Sequence, residues 1–396
     1  MIGGSRVKVH HNTLADGYYV VRYGAVQAED SVLIYNNHIS RASTCIAFTG
    51  NSTGHVINSE IHDNFIDVSN EWDGSVDGSW YHNDGIHTWT GNTGYIRGLK
   101  IYNNKFFGEI GAHQTAYIYV SDNTDRCLIY NNVIKGQGHP TADGSIYLYG
   151  DCDSTYIYNN TIYGVDSMSS TGIEIDGTSN NLKVYNNVVD HIGRFLTVVP
   201  VGSSMDSCDY NISSCYGTNN RYNYHGEIYD PDRWITAWRN IGFDIHGTDS
   251  MPTYLNDSLQ LDSASFGVNA GRTLPNFSTD IRGIARPQGS AWDMGAYEFG
   301  TPQICYDTVT IIGNYLTYTD SVFFGDSASP WFSVINDTTI KSRVPAHPVG
   351  VVNIRLVKEV GSGTLTSGYR FIEVVQSVFR KIGDWFGTRV FGIFKR

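Results

Sequence analysis

Three observations predict an all-β chain, a parallel β-helix followed by a small β-sandwich. A phrase ending in Asn returns at near-constant intervals over the first 190 residues. The segments between its copies alternate apolar and polar side chains with period two and show no helical period. Gly (42 residues) and Tyr (27) are abundant among the 396 residues, while charged residues make up only 17%, so Asn, Ser, Thr, Tyr and Gly must supply the polar surface.

The repeat comes first. Val9-His10-His11-Asn12 is followed by Ile34-Tyr35-Asn36-Asn37, Ile61-His62-Asp63-Asn64, Ile101-Tyr102-Asn103-Asn104, Ile129-Tyr130-Asn131-Asn132, Ile157-Tyr158-Asn159-Asn160 and Val184-Tyr185-Asn186-Asn187. Weaker copies read Cys208-Asp209-Tyr210-Asn211 and Trp238-Arg239-Asn240. The last Asn of each copy steps by 25, 27, 40, 28, 28, 27, 24 and 29 residues, the signature of a solenoid. A unit this small buries its apolar face only by stacking on its neighbours. Each unit is then one coil, rising by roughly 4.8 Å. Asn37, Asn104, Asn132, Asn160 and Asn187 read as corner residues that bond from coil to coil, not as ligands.

Charge and cysteines narrow the class. The formal charge of −12 argues against nucleic acid, which needs a basic surface. There is no apolar run long enough for a transmembrane segment. None of the six Cys forms a CxxC pair; Cys208 and Cys215 are spaced for a local disulfide or for two buried small hydrophobes. The chain starts inside a coil with no secretory signal, which predicts upstream residues, further coils and a signal peptide among them.

The YNN-x-I pattern resembles the right-handed parallel β-helix repeat proteins, a superfamily of polysaccharide lyases, hydrolases and phage tailspikes. The similarity covers about residues 5 to 300 and implies a polysaccharide partner and an extracellular, cell-surface or virion location. It further implies a monomer for an enzyme and a trimer for a tailspike. The first domain is therefore drawn at 1–300. Its closing segment, 261–300, carries Asp280, Arg282, Arg286, Asp293 and Glu298, read as a charged network shielding the open end of the core. Residues 301–375 read as short strands with turns at Gly313, Phe324-Gly325, Asn336-Asp337 and Val344-Pro345. They resemble the IPT/TIG family, implying a C-terminal immunoglobulin-like β-sandwich used as a spacer or binding module. Residues 376–396 form a basic, aromatic tail with a weak apolar face at 378, 382, 385 and 386.

Candidate chemistry collects at the one irregular coil. The 40-residue step contains Trp72, Asp73, Asp77, Trp80, His82, Asp84, His87 and Trp89. Aromatics stack on sugars, and acids and His move protons. Aligning Ile86, Ile118, Ile146 and Ile173 as one inward stack puts Ala47, His87, Tyr119, Tyr147 and Glu174 in one outward column. Thr49, Trp89, Ser121, Tyr149 and Asp176 form a second, and Gly85, Tyr117, Ser145 and Gly172 a third; His82, Asp84 and His113 fall at the rim. Outward tyrosines also stabilise stacked strands without any ligand.

A lyase would use His87 or His82 as base and Tyr117, Tyr119 or Tyr147 as acid. The uronate charge would be met by Arg194 or by calcium on Asp73, Asp77, Asp84, Glu174 or Asp176. A hydrolase would pair Asp84 with Glu174 or Asp176, or Glu174 with Asp176. The expected function is a polysaccharide lyase acting on a uronate-containing chain. A glycoside hydrolase and a non-catalytic glycan-binding adhesion or tailspike-like module are the alternatives.

Overall fold

The computed structural model describes all residues except 1–4, 26–27, 51–53, 69–74, 77–78, 81–82, 92, 110–114, 138–143, 200–201, 216–221, 226, 230–233, 300–307, 330, 345–349, 359–360, 372–390 and 394–396. The chain divides into two compact units, Met1–Phe299 and Gly300–Arg396.

The first unit is a parallel β-solenoid. An eight-stranded sheet at the Asn corner contains Lys8–His10, Leu33–Tyr35, Glu60–His62, Lys100–Tyr102, Leu128–Tyr130, Tyr156–Tyr158, Leu182–Tyr185 and Met205–Asp209. A broader sheet carries the longer strands, and a four-stranded sheet closes the third side. Strands on successive coils are 23 to 40 residues apart in sequence and pair in parallel, residue for residue: Ile34 with Ile61, Ile61 with Ile101, Ile101 with Ile129. The predicted inward stack is present. Ile46, Ile86, Ile118, Ile146, Ile173 and Leu196 are in register and buried. Isoleucine suits the position because a β-branched side chain packs well on a pleated surface.

The two asparagines of each corner divide the work. The first, at Asn36, Asn103, Asn131, Asn159 and Asn186, takes a left-handed φ of 50–57°, which Asn tolerates better than most residues. The second builds a ladder. Asn12 Nδ2 donates to Asn37 Oδ1, Asn37 to Asn64, Asn64 to Asn104, Asn104 to Asn132, Asn132 to Asn160, Asn160 to Asn187 and Asn187 to Asn211, each at 2.9–3.1 Å. From Asn37 onward every rung is buried. The second amide proton of Asn132, for example, goes to the Ile101 carbonyl at 2.9 Å, so no polar atom of that rung is left unmet.

Two expectations at the end of the solenoid are corrected. Trp238-Arg239-Asn240 is not a further coil but part of a helix, Trp234–Asn240. Its Trp238 is fully buried in the solenoid core. The ladder ends on Asp244, whose Oδ1 accepts from Asn211 Nδ2 at 2.9 Å. Burial pushes the Asp244 carboxyl up to about 6. The charged closing segment also has a different place. The network exists, with Arg286 Nη1 on Glu298 Oε2 at 2.7 Å and Arg282 Nη2 on Asp280 Oδ2 at 2.8 Å. It does not cover the open end, however. The segment runs back along the corner: the left-handed asparagines Asn131, Asn159 and Asn186 donate to Thr279 O, Asp293 O and Arg272 O. It roofs an apolar cluster of Leu128, Tyr130, Tyr158, Tyr185, Leu274 and Trp292. The helix, through Trp238, therefore closes the core at this end, and the closing segment is a strap over the corner. Cys208 and Cys215 are buried thiols, not bridged by a disulfide.

The second unit is an antiparallel sandwich of two four-stranded sheets. Phe332–Asn336, Thr339–Arg343 and Thr308–Gly313 form one, with Phe391–Ile393 added in parallel. Ser327–Ala328, Ser321–Phe324, Gly350–Lys358 and Gly361–Phe371 form the other. Ile311, Leu316, Val322, Phe324, Ile340, Val344, Ile354 and Leu356 are its core. The apolar face expected at 378, 382, 385 and 386 lies outside the described residues.

Candidate functional site

The site is built on the strand Asp84–Trp89, at the end of the irregular coil. Gly85 leaves room for the neighbouring coil here, since a Cβ would lie 2.5 Å from the Tyr117 carbonyl oxygen. Asp84 is fully buried and shares an inward column with Thr44. Its Oδ1 accepts from the Ala116 amide at 3.1 Å. Its Oδ2 lies 3.1 Å from His87 Nδ1, at ion-pair distance but without an aligned hydrogen bond. The carboxylate thus stands directly behind the imidazole on the inner side of the strand. The neighbouring Asn83 is also buried, and neither its side-chain nitrogen nor its oxygen has a hydrogen-bond partner.

The outward columns fall as the spacing predicts. His87 pairs with Ala47 and Tyr119, Tyr119 with Tyr147, and Tyr147 with Glu174. The His87 and Tyr119 rings stack at 4.2 Å and those of Tyr119 and Tyr147 at 5.1 Å. Ring faces are spent on neighbours, so hydroxyls and ring edges are what this column offers to a ligand. Trp89 tilts against His87 at 4.5 Å. At the far end the Tyr147 hydroxyl donates to Asp176 Oδ2 at 3.5 Å. Tyr149 is 43% exposed, and Glu174 and Asp176 are both half-buried.

Register also adds residues absent from the sequence reading. Arg22 pairs with Ala47, which pairs with His87, so a guanidinium occupies the His87 column two coils away, roughly 10 Å. It lies 4.9 Å from the Tyr19 ring centre, and Tyr19 lies 6.0 Å from Trp89. Burial pushes the Tyr19 hydroxyl up to about 12. Extending the columns back by one 25-residue step would have found Arg22. Nothing in the repeat marks Asn83.

Other predicted members do not join. Tyr117 is 2% exposed and belongs to the core cluster. Its hydroxyl donates to the Gly108 carbonyl at 2.9 Å and fills space left by Gly136, so it is a packing residue there, not part of the outward patch. Arg194 lies in the Asp84 column, four strands on through Ala116, Gly144 and Thr171, roughly 19 Å away. Asp84 and Glu174 are three strands apart, too far to share a cation or act as a carboxylate pair. Trp72, Asp73, Asp77, His82 and His113 lie outside the described residues. Trp80 sits in a two-residue strand, Ser79–Trp80, antiparallel to Ser75–Val76. Among the described residues no group of three or more His, Cys, Asp or Glu side chains is gathered for a metal. No helix among them is long and apolar enough to cross a membrane.

Fold and site together define an all-β solenoid with a candidate polar face and a C-terminal antiparallel domain. Residues 298–371 match the IPT/TIG domain family, which makes the C-terminal unit an immunoglobulin-like domain of that type. No curated protein matches the chain.

Proposed function

We propose that the His87 face binds a uronate-containing polysaccharide and cleaves it by β-elimination, outside the cell or on a virion. The observation that carries this is the buried Asp84 carboxylate at 3.1 Å from His87 Nδ1, with Arg22 in the same column. Arg22 pairs with the uronate carboxylate and makes the C5 proton more acidic. His87 takes that proton through Nε2, and Asp84 steadies the imidazolium that forms. The C5 electron pair becomes the C4–C5 double bond as the C4–O bond breaks. The Tyr119 hydroxyl gives its proton to the departing oxygen.

A second reading has one observation of its own. Glu174 and Asp176 alternate on one outward strand face, about 7 Å apart by strand geometry, which fits inverting hydrolysis.

Incubation with acidic and neutral polysaccharides separates these. β-Elimination yields an ultraviolet-absorbing unsaturated end, lost by roughly 10²- to 10⁴-fold in His87→Ala. New reducing ends without that absorbance, abolished in Glu174→Gln, would replace it with hydrolysis. Binding without cleavage would leave a glycan-binding module.

A further inference from the structure

The C-terminal domain displays a second surface that the His87 face does not explain. Tyr315 and Tyr318 are 70% and 84% exposed, the most exposed large apolar side chains among those described. Both have left-handed backbones, with φ of 59° and 69°. For a bulky side chain this conformation costs stability that glycine would not. They are the only non-glycine residues with positive φ among the described residues of this unit. Elsewhere such positions are mainly solenoid turns, filled chiefly by Asn, Asp and Ser. Strain retained at two exposed aromatic positions is a mark of use.

The loop that holds them is pinned. Leu316, between them, is fully buried in the sandwich core. Its amide donates to the Asp337 carbonyl at 2.8 Å. The Thr317 amide and hydroxyl both donate to Asp337 Oδ1, at 3.2 and 2.7 Å. The Thr319 hydroxyl donates to Leu316 O, and Lys358 Nζ to Thr317 O. The Thr317 hydroxyl holds the Asp337 carboxyl below its ordinary range, so the clamp is ionised at neutral pH. Two rings on a fixed loop lose little freedom on binding.

The rim selects the ligand. Asn314, Asp320, Asn336, Asp337 and Thr338 are exposed around the loop, and the ammonium of Lys358 is turned onto the Thr317 carbonyl. Carboxylates and amide oxygens accept hydrogen bonds from hydroxyls, and the two carboxylates also repel anions. The geometry points to a glycan-binding site in which Tyr315 and Tyr318 stack on neutral sugar residues while the acidic and amide rim bonds their hydroxyls. It stands whether or not His87 cleaves anything.

The test uses the full chain in native gels containing xylan, galactomannan or mixed-linkage β-glucan, with polygalacturonate as the acidic control. At least one neutral polymer should retard the parent. Tyr315→Gly combined with Tyr318→Gly should weaken that affinity on the order of tenfold per lost ring. Retardation by polygalacturonate, which the His87 face would supply, should be the same in the parent and in this double variant. The same variant should melt at an equal or higher temperature, because glycine relieves the strain. A structural role for the rings predicts the opposite shift in melting. Retardation by no neutral polymer, unchanged neutral-polymer retardation in the double variant, or a lower melting temperature each overturns the proposal. His87→Ala run beside it should keep the neutral-polymer retardation, so loss of cleavage chemistry and loss of this site read out separately.

Discussion

Two aromatic columns climb the outside of one solenoid. On the corner sheet, Tyr102 and Tyr130 stack at 4.8 Å, and Tyr158 and Tyr185 lie above them in register. This column is roofed: Phe277 stacks on Tyr130 at 4.3 Å and Arg272 lies 5.2 Å over Tyr185. On the broad sheet, His87, Tyr119 and Tyr147 stack in the same way, but the column begins at a guanidinium and ends at carboxylates. Stacked rings follow from parallel register alone. Both columns also carry an imidazole beside a carboxylate, and what separates them is burial of the acid: Asp63 beside His62 on the corner sheet is exposed, whereas Asp84 behind His87 is fully buried.

Substitutions should divide the two along that line. The largest loss is expected at the corner, where Asn132→Ala removes a rung and strands the Asn104 donors. Unmet buried groups cost about 1–3 kcal/mol each, so urea unfolding should show at least about 3 kcal/mol lost. A loss below about 1 kcal/mol would mean water replaces the rung. Next, Trp292→Ala should cost roughly 3 kcal/mol and leave polysaccharide cleavage unchanged. Lost cleavage in a folded Trp292 variant would join the columns that this comparison separates.

On the charged column the pattern reverses. Arg22→Ala should raise KM for an acidic substrate by about 10- to 100-fold with little change in stability, and Arg22→Lys should recover only part. Equal loss on neutral and acidic polymers would remove Arg22 from the site.

The smallest effect is a pH slope. Burial raises Asp244 and Asp293 from 3.8 to about 6. The folded chain therefore holds these protons more tightly than the unfolded chain. Their contribution is fully present below the unfolded value and is lost as pH rises through about 6, at most about 1.4 kcal/mol per pH unit for each. Carboxyl NMR titration checks it: a midpoint near the ordinary carboxylate value for Asp244 would show a hydrated ladder end.

The solenoid was legible because every coil repeats the same physical demand. A β-branched residue must face inward at Ile118, Ile146 and Ile173, and an amide must meet its copy at each corner. The outward columns followed from that register. Burial did not: parity places Tyr117 on a side of its strand, but only the bend that carries its hydroxyl to Gly108 decides that it is covered. The strap was legible as charge and not as place, because Asn131 meets Thr279 across 148 residues with no repeat to connect them. Asp244 was hidden for a related reason. A helix interrupts the interval, and the ladder's last partner comes 33 residues after Asn211 as a different residue type.

The amide ladder has a direction, and that limits how such a molecule grows. Each interior asparagine gives to the coil ahead and receives from the coil behind, so duplicating a coil between Asn12 and Asn211 adds one giver and one receiver and leaves the column balanced. The final position must only receive, a condition an ionised carboxylate meets and an amide does not. Lengthening by internal duplication is therefore chemically neutral. Extension past Asp244 would first require giving up the acid that stops the column.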